Sequence, residues 1–154
     1  MGGNGIGMRY MNISIKPRGK VLVDTNIFIY ILDDADKQKQ EAASQALSGL
    51  EANHTVIVST QVLQEVYNVA TRKVKVDPAH ARTFVAKLRR FDIAVINVET
   101  IIEAMTTSEL YRISFWDALL VAAAMQKKCT AIVTEDLSDG QNIHGIQIVN
   151  PFSR

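Results

Sequence analysis

The sequence predicts an α/β fold in which a mostly parallel central sheet is covered by helices on both faces. Two observations predict it. From Lys20 onward, short apolar runs alternate with longer helical patterns, the signature of strand–helix–strand crossovers. The runs themselves are apolar and brief, as strands buried between helical layers are. The chain has 154 residues, with no internal repeat and no linker beyond the start. It therefore suits one domain with one sizeable core.

Residues 1–19 differ from the rest. Gly2, Gly3, Gly5 and Gly7 precede Met8 and Met11, and a flexible leader or expression scar is expected there. No strand precedes these glycines and no Gly-Lys-Ser/Thr follows, so they do not form a phosphate loop. The domain is expected to span 20–154. Val21-Leu22-Val23 reads as the first strand, ending at Asp24, and a helix follows from about Lys37 to Leu50. Val56-Ile57-Val58 is the second strand. Ser59 or Thr60 can cap a helix running to about Lys73. Asp77-Pro78 supplies a cap and a first-turn proline for a helix to about Arg90. Ala94 to Val98 is expected as a strand and Glu99 to Leu110 as a helix. Ser114 opens a helix over Phe115 to Lys127. Ala131-Ile132-Val133 and Ile146 to Val149 are the last two strands.

Composition excludes several classes. The chain is 47% hydrophobic and 21% charged, too apolar for disorder and too mixed for a membrane protein. No apolar run reaches the roughly 18 residues of a membrane-spanning helix. The single cysteine, Cys129, rules out an internal disulfide framework and is most simply a small buried residue. With no secretory-signal pattern, the cytoplasm is the expected location. The net charge of +1 is not that of a strongly basic nucleic-acid binder, but local asymmetry matters more than the sum.

Sites in such sheets form beyond the carboxyl ends of the strands, and four acids fall there. Asp24 and Asp136 directly follow strands. Glu65 lies early in the helix after the second strand, and Asp117 in the first turn of its helix. Each also has a structural reading. Asp24 can cap a turn, since Asp-Thr-Asn favours turns. Glu65 sits at the margin of the apolar face formed by Val62, Leu63, Val66, Tyr67, Val69 and Ala70, which suits a cleft wall or a solvated rim. Asp117 is the only charge in Phe115 to Met125, and a carboxylate in a buried helix needs a partner. That partner is either Ser114, at capping-box spacing, or a metal. Asp136 can be a turn residue. Together the four would favour a hard divalent cation, Mg²⁺ or Mn²⁺. Such an ion activates water and stabilises a leaving oxygen.

At these residues the sequence resembles the PIN-domain family, particularly the VapC toxins of bacterial and archaeal toxin–antitoxin pairs. The matching segments are Val21-Leu-Val-Asp-Thr-Asn26, Gln64-Glu65, Ser114-Phe-Trp-Asp-Ala-Leu119 and Thr134-Glu-Asp-Leu137, with Gly145 to Phe152 as the closing strand. The resemblance implies a PIN-like three-layer sandwich. It also implies a Mg²⁺- or Mn²⁺-dependent endoribonuclease acting on single-stranded RNA, with Asp24, Glu65, Asp117 and Asp136 at the catalytic metal site. Asn26 matches the residue that orients the first aspartate, and Thr134 the hydroxyl near the last. Asp139 is a further candidate carboxylate. The family often carries Asn where this chain has Glu135, and no loss of activity is expected from that. A homodimer and a cognate antitoxin are implied as well.

Among the remaining features, Arg72, Lys73, Lys75 and Arg82 open a basic stretch that reads either as an RNA-tracking surface or as a solvated helix face. Trp116 and Tyr67 can stack on bases, but core packing is the simpler expectation. His54, His80 and His144 lack metal-ligand spacing, and no Ser-His-Asp arrangement stands out. A non-catalytic PIN-like module that binds RNA or protein is the main rival. A haloacid-dehalogenase-type phosphatase would want a second carboxylate where Asn26 stands.

Overall fold

The structure is a computed structural model that describes residue 15 and residues 18–152. Six strands form one sheet: β1 Lys20–Val23, β2 Thr55–Ser59, β3 Asp92–Ala94, β4 Ala131–Val133, β5 Asn142–Ile143 and β6 Ile146–Val149. Their spatial order is β3-β2-β1-β4-β6-β5. All neighbours run parallel except β5 and β6. The central strands are buried on both faces, with Val21, Leu22, Val23, Ile57, Val58 and Ile132 wholly inaccessible. This is what continuous apolar runs require.

The helices are α1 Thr25–Leu32, α2 Lys37–Asn53, α3 Thr60–Val69, α4 Pro78–Lys87, α5 Val98–Tyr111 and α6 Phe115–Gln126. A π-helical turn, Ala70–Val74, extends α3. The chain steps from β1 to β2 to β3 in one direction, then crosses to the other side of β1 for β4. Right-handed crossovers therefore put α1 to α4 on one face and α5 and α6 on the other. The packing agrees: α1 lies on α2 and α3, α3 on α4, and α5 on α6.

Local chemistry sets the helix starts. Asp36, Ser59, Asp77, Asn97 and Ser114 each accept a backbone N–H of the first turn, as N-caps do. Pro78 follows its cap at the first helical position.

Three expectations need correction. The helix α1 was not expected, because Asp-Thr-Asn favours turns and Ile27-Phe-Ile-Tyr-Ile has modest helix propensity. Burial of Thr25, Ile27, Phe28, Ile29 and Leu32 overrides that preference. The third strand is Asp92–Ala94 and not Ala94 to Val98. Asn97 and Thr100 form a capping box that draws Val98 into α5. The two-residue β5 is too short to give a period.

Most of the leader expected at 1–19 lies outside the described residues. Ile15 is buried in the core, and the Arg18 N–H donates to the Asn53 carbonyl at 3.0 Å. No helix among the described residues is long and apolar enough to cross a membrane.

Candidate active site at the switch point of the sheet

The reversal of strand order opens a crevice over the carboxyl ends of β1 and β4. These strands are register partners through Val23 and Val133, so Asp24 and Thr134 emerge side by side. The Thr134 hydroxyl donates to Asp24 Oδ2 at 2.7 Å, and the Thr25 N–H to Asp24 Oδ1 at 2.7 Å. The Asp136 N–H in turn donates to the Thr134 hydroxyl at 3.1 Å. One threonine thus ties the ends of both strands together. From the other side, the Thr25 hydroxyl donates to Glu65 Oε2 at 2.7 Å, and Gln61 donates to Glu65 Oε1 at 3.1 Å. Asp117 enters from the first turn of α6, where the Ser114 hydroxyl accepts its N–H at 3.0 Å.

Electrostatics link the four acids. Burial pushes the Asp24 carboxyl up from 3.8 to about 6, Thr134 and Thr25 oppose that, and Asp136 and Glu65 add repulsion. The Asp117 carboxyl is also raised, first by burial, against the Ser114 hydroxyl, and then by Asp136 and Glu65. Asp24 is buried, Glu65 and Asp117 are half-buried, and Asp136 is exposed. The gradient runs from a buried floor to an open rim. All the donor atoms are carboxylate oxygens that repel one another, which is the ligand chemistry of a hard divalent cation. As they stand, no three such side chains among the described residues converge tightly enough to grip an ion. The site fits a metal in chemistry and would have to close by side-chain movement.

The other predicted residues divide. Asn26 lines a narrow slot with Asp24, Thr134, Glu135, Pro151 and Phe152, but Asp24 takes its hydrogen bonds from Thr25 and Thr134. Asp139 accepts the Asn150 N–H at 2.9 Å, and it is not among the charges that raise Asp24 or Asp117. Arg72, Lys73, Lys75 and Arg82 are exposed. Arg72 and Lys73 follow Glu65 along the same helical run, about 10 Å further at 1.5 Å per residue. Trp116 and Tyr67 were expected in the core; they are 64% and 43% exposed. Trp116 stands in the first turn of α6, before the run Ala118 to Ala124 that is buried.

Three further residues contribute to the site, and the sequence motifs do not single them out. Gln61 stands four residues before Glu65, a spacing that could have been read. Thr25 sits inside the Asp24–Asn26 motif itself. The Tyr30 hydroxyl donates to Glu135 Oε2 at 2.7 Å across 105 residues, which no local pattern reveals.

Four acids near the topological switch point of a mostly parallel sheet define an α/β domain with a candidate acidic site. The PIN domain family matches residues 21–138, and the chain belongs to that family. Among solved structures it is similar to a toxin–antitoxin complex from Klebsiella pneumoniae, with TM-score 0.63 and 22% identity over 87% of this chain and 99% of that one. It is similar to VapBC2 from Rickettsia felis bound to a promoter DNA fragment, with TM-score 0.60 and 20% identity over 84% and 96%. It is also similar to VapC20 of Mycobacterium tuberculosis, a toxin that cleaves the sarcin–ricin loop, with TM-score 0.54 and 20% identity over 73% and 86%. No curated protein matches the sequence.

Proposed function

We propose that this chain is a cytoplasmic Mg²⁺- or Mn²⁺-dependent endoribonuclease of single-stranded RNA, acting as the toxin of a VapBC-type pair. One observation carries the reading. In a PIN domain, four acids from separate segments lie near enough to the switch point to act on one another's ionisation, and burial and mutual repulsion hold two of them above the usual carboxylate range. Asp24, Glu65, Asp117 and Asp136 would hold the ion. The ion supplies an acidified water and a counter-charge for the leaving oxygen.

The chain's own groups do the positioning. Thr134 fixes Asp24 and the backbone of Asp136. Thr25 and Gln61 aim Glu65, and Ser114 fixes the turn that carries Asp117. The amino end of α6 offers a partial positive charge to an RNA phosphate. Arg72, Lys73, Lys75 and Arg82 supply exposed cations for the backbone. Val98, Ile102 and Met105 are each more than half exposed along one face of α5, which suits a second copy in a homodimer. A cognate antitoxin is the expected inhibitor, as the Klebsiella and Rickettsia structures hold toxin–antitoxin assemblies.

The rival reading is a non-catalytic module that binds RNA or protein. It is favoured by the side chains' failure to converge on one point. The deciding experiment is cleavage of mixed single-stranded RNA by folded, antitoxin-free protein with Mg²⁺ or Mn²⁺. EDTA and Asp117→Asn serve as controls. Cleavage that both controls abolish is the expected result. Intact RNA across metals and RNA classes leaves the binding module standing.

A further inference from the structure

The connector between α5 and α6 carries an exposed cation, and the first turn of α6 carries an exposed aromatic plane one residue before Asp117. Arg112 ends α5 in the left-handed region, with φ 54°, where glycine or asparagine is usual. Its side chain is exposed, and no ion pair among the described residues involves it. Four residues on, Trp116 stands 64% exposed and immediately precedes Asp117. Phe115 braces the indole at a centroid distance of 5.2 Å and 71° between planes.

The connector is also fastened. The Arg112 N–H donates to the Ser108 carbonyl, and the Ser108 hydroxyl donates to the Ile113 carbonyl at 2.6 Å. The Ser114 cap then fixes the first turn of α6. An indole held against Phe115 and a guanidinium outside every ion pair of the described residues thus stand four residues apart on the segment that leads into Asp117.

We infer that Arg112 and Trp116 form a nucleotide platform, on which an unpaired base beside the scissile phosphate stacks on Trp116 while Arg112 takes a neighbouring phosphate. The inference rests on the ribonuclease reading and adds a binding subsite to it. Single-stranded nucleic acid is bound by this pairing of stacking planes with backbone cations. A protein partner fits less well, because the surface suited to one is the aliphatic face of Val98, Ile102 and Met105 on α5. Double-stranded RNA also fits less well, because its bases are not free to stack on a side chain.

Trp116 is the only tryptophan of the chain, so its emission reports on this one place. The test uses the full chain carrying Asp136→Asn, in Mg²⁺, titrated with a labelled single-stranded oligoribonucleotide of mixed sequence. Expected are a change in tryptophan emission on saturation and about tenfold weaker binding with Trp116→Ala, with most of it retained in Trp116→Phe. Arg112→Ala is expected to weaken binding and reduce the salt slope by about one. The inference is overturned if both alanine variants bind as the parent does while the unsubstituted chain still cleaves RNA. It is equally overturned if Trp116→Ala alters only the oligomeric state, which would make the indole a protein contact. RNA that the unsubstituted chain neither binds nor cleaves sinks the ribonuclease reading, and this inference with it.

Discussion

Asp24 is a buried carboxyl whose protonation is set by opposed forces. Burial and the charges of Glu65 and Asp136 raise it to about 6, and the hydroxyl of Thr134 pulls it back. Because the folded value lies above the unfolded one, Asp24 contributes stability that is fully present below about pH 4 and is lost as pH rises through about 6. The metal-free protein is therefore expected to lose stability across that window. Asp24→Asn should flatten the loss and raise metal-free stability at pH 7.5 by up to about 3 kcal/mol. Denaturant melts at pH 5 and 7.5 measure this; an unchanged difference between the two pH values would count against it.

A cation inverts the balance, since it needs the ionised form. Its affinity should fall steeply below about pH 6, as calorimetry with Mn²⁺ would read. Thr134→Val removes the hydroxyl that favours ionised Asp24. It should weaken metal binding about 10- to 100-fold and shift the acid limb to higher pH. For Asp117→Asn, loss of cleavage by more than about 100-fold is expected with the fold intact.

Elements converge on the site through α1, the helix that sequence reading did not find. Its first residue, Thr25, joins Asp24 to Glu65, and one and a half turns on Tyr30 holds Glu135. The Lys39 ammonium covers the Tyr30 ring at 4.2 Å, and the Phe152 ring meets it edge-on at 5.2 Å. The segment Thr134–Asp136 is therefore pinned to α1 from two points. Tyr30→Phe leaves a second Glu135 oxygen without a partner, since Oε1 is already buried and unpaired. A loss of about 1–3 kcal/mol in urea unfolding is expected; a variant as stable as the parent would show that the bond is idle.

The same elements explain what could be read in advance. The acids at strand ends were legible because strand ends in a parallel sheet share one edge, and Ser114 and Asp77 because capping is local. α1 was hidden because tertiary burial outweighed a turn-prone motif. Trp116 was expected inside because α6 is apolar nearly all round, and a run without polar punctuation does not say which of its residues faces water. The pairing of Tyr30 with Glu135 spans 105 residues and leaves no pattern in either segment.

At the scale of the whole molecule, the two faces serve different ends. One carries α1 to α4 and the basic residues around the π-helical turn. The other carries the α5–α6 pair, whose outer stripe of Val98, Ile102 and Met105 leaves large apolar side chains in water. If that stripe joins two copies, Ile102→Glu should convert a dimer to a monomer in light scattering without changing helix content in circular dichroism. A dimer that survives the substitution places the contact elsewhere.

The placement of β4 has a temporal meaning. This strand lies between β1, near the start of the domain, and β6, near its end. Asp24 therefore gains its Thr134 partner only after residues more than a hundred positions later have joined the sheet. On a ribosome that adds about 5–20 residues per second, β1 waits several seconds for its neighbour. Through that interval the nascent chain lacks the neighbour that completes its acidic centre.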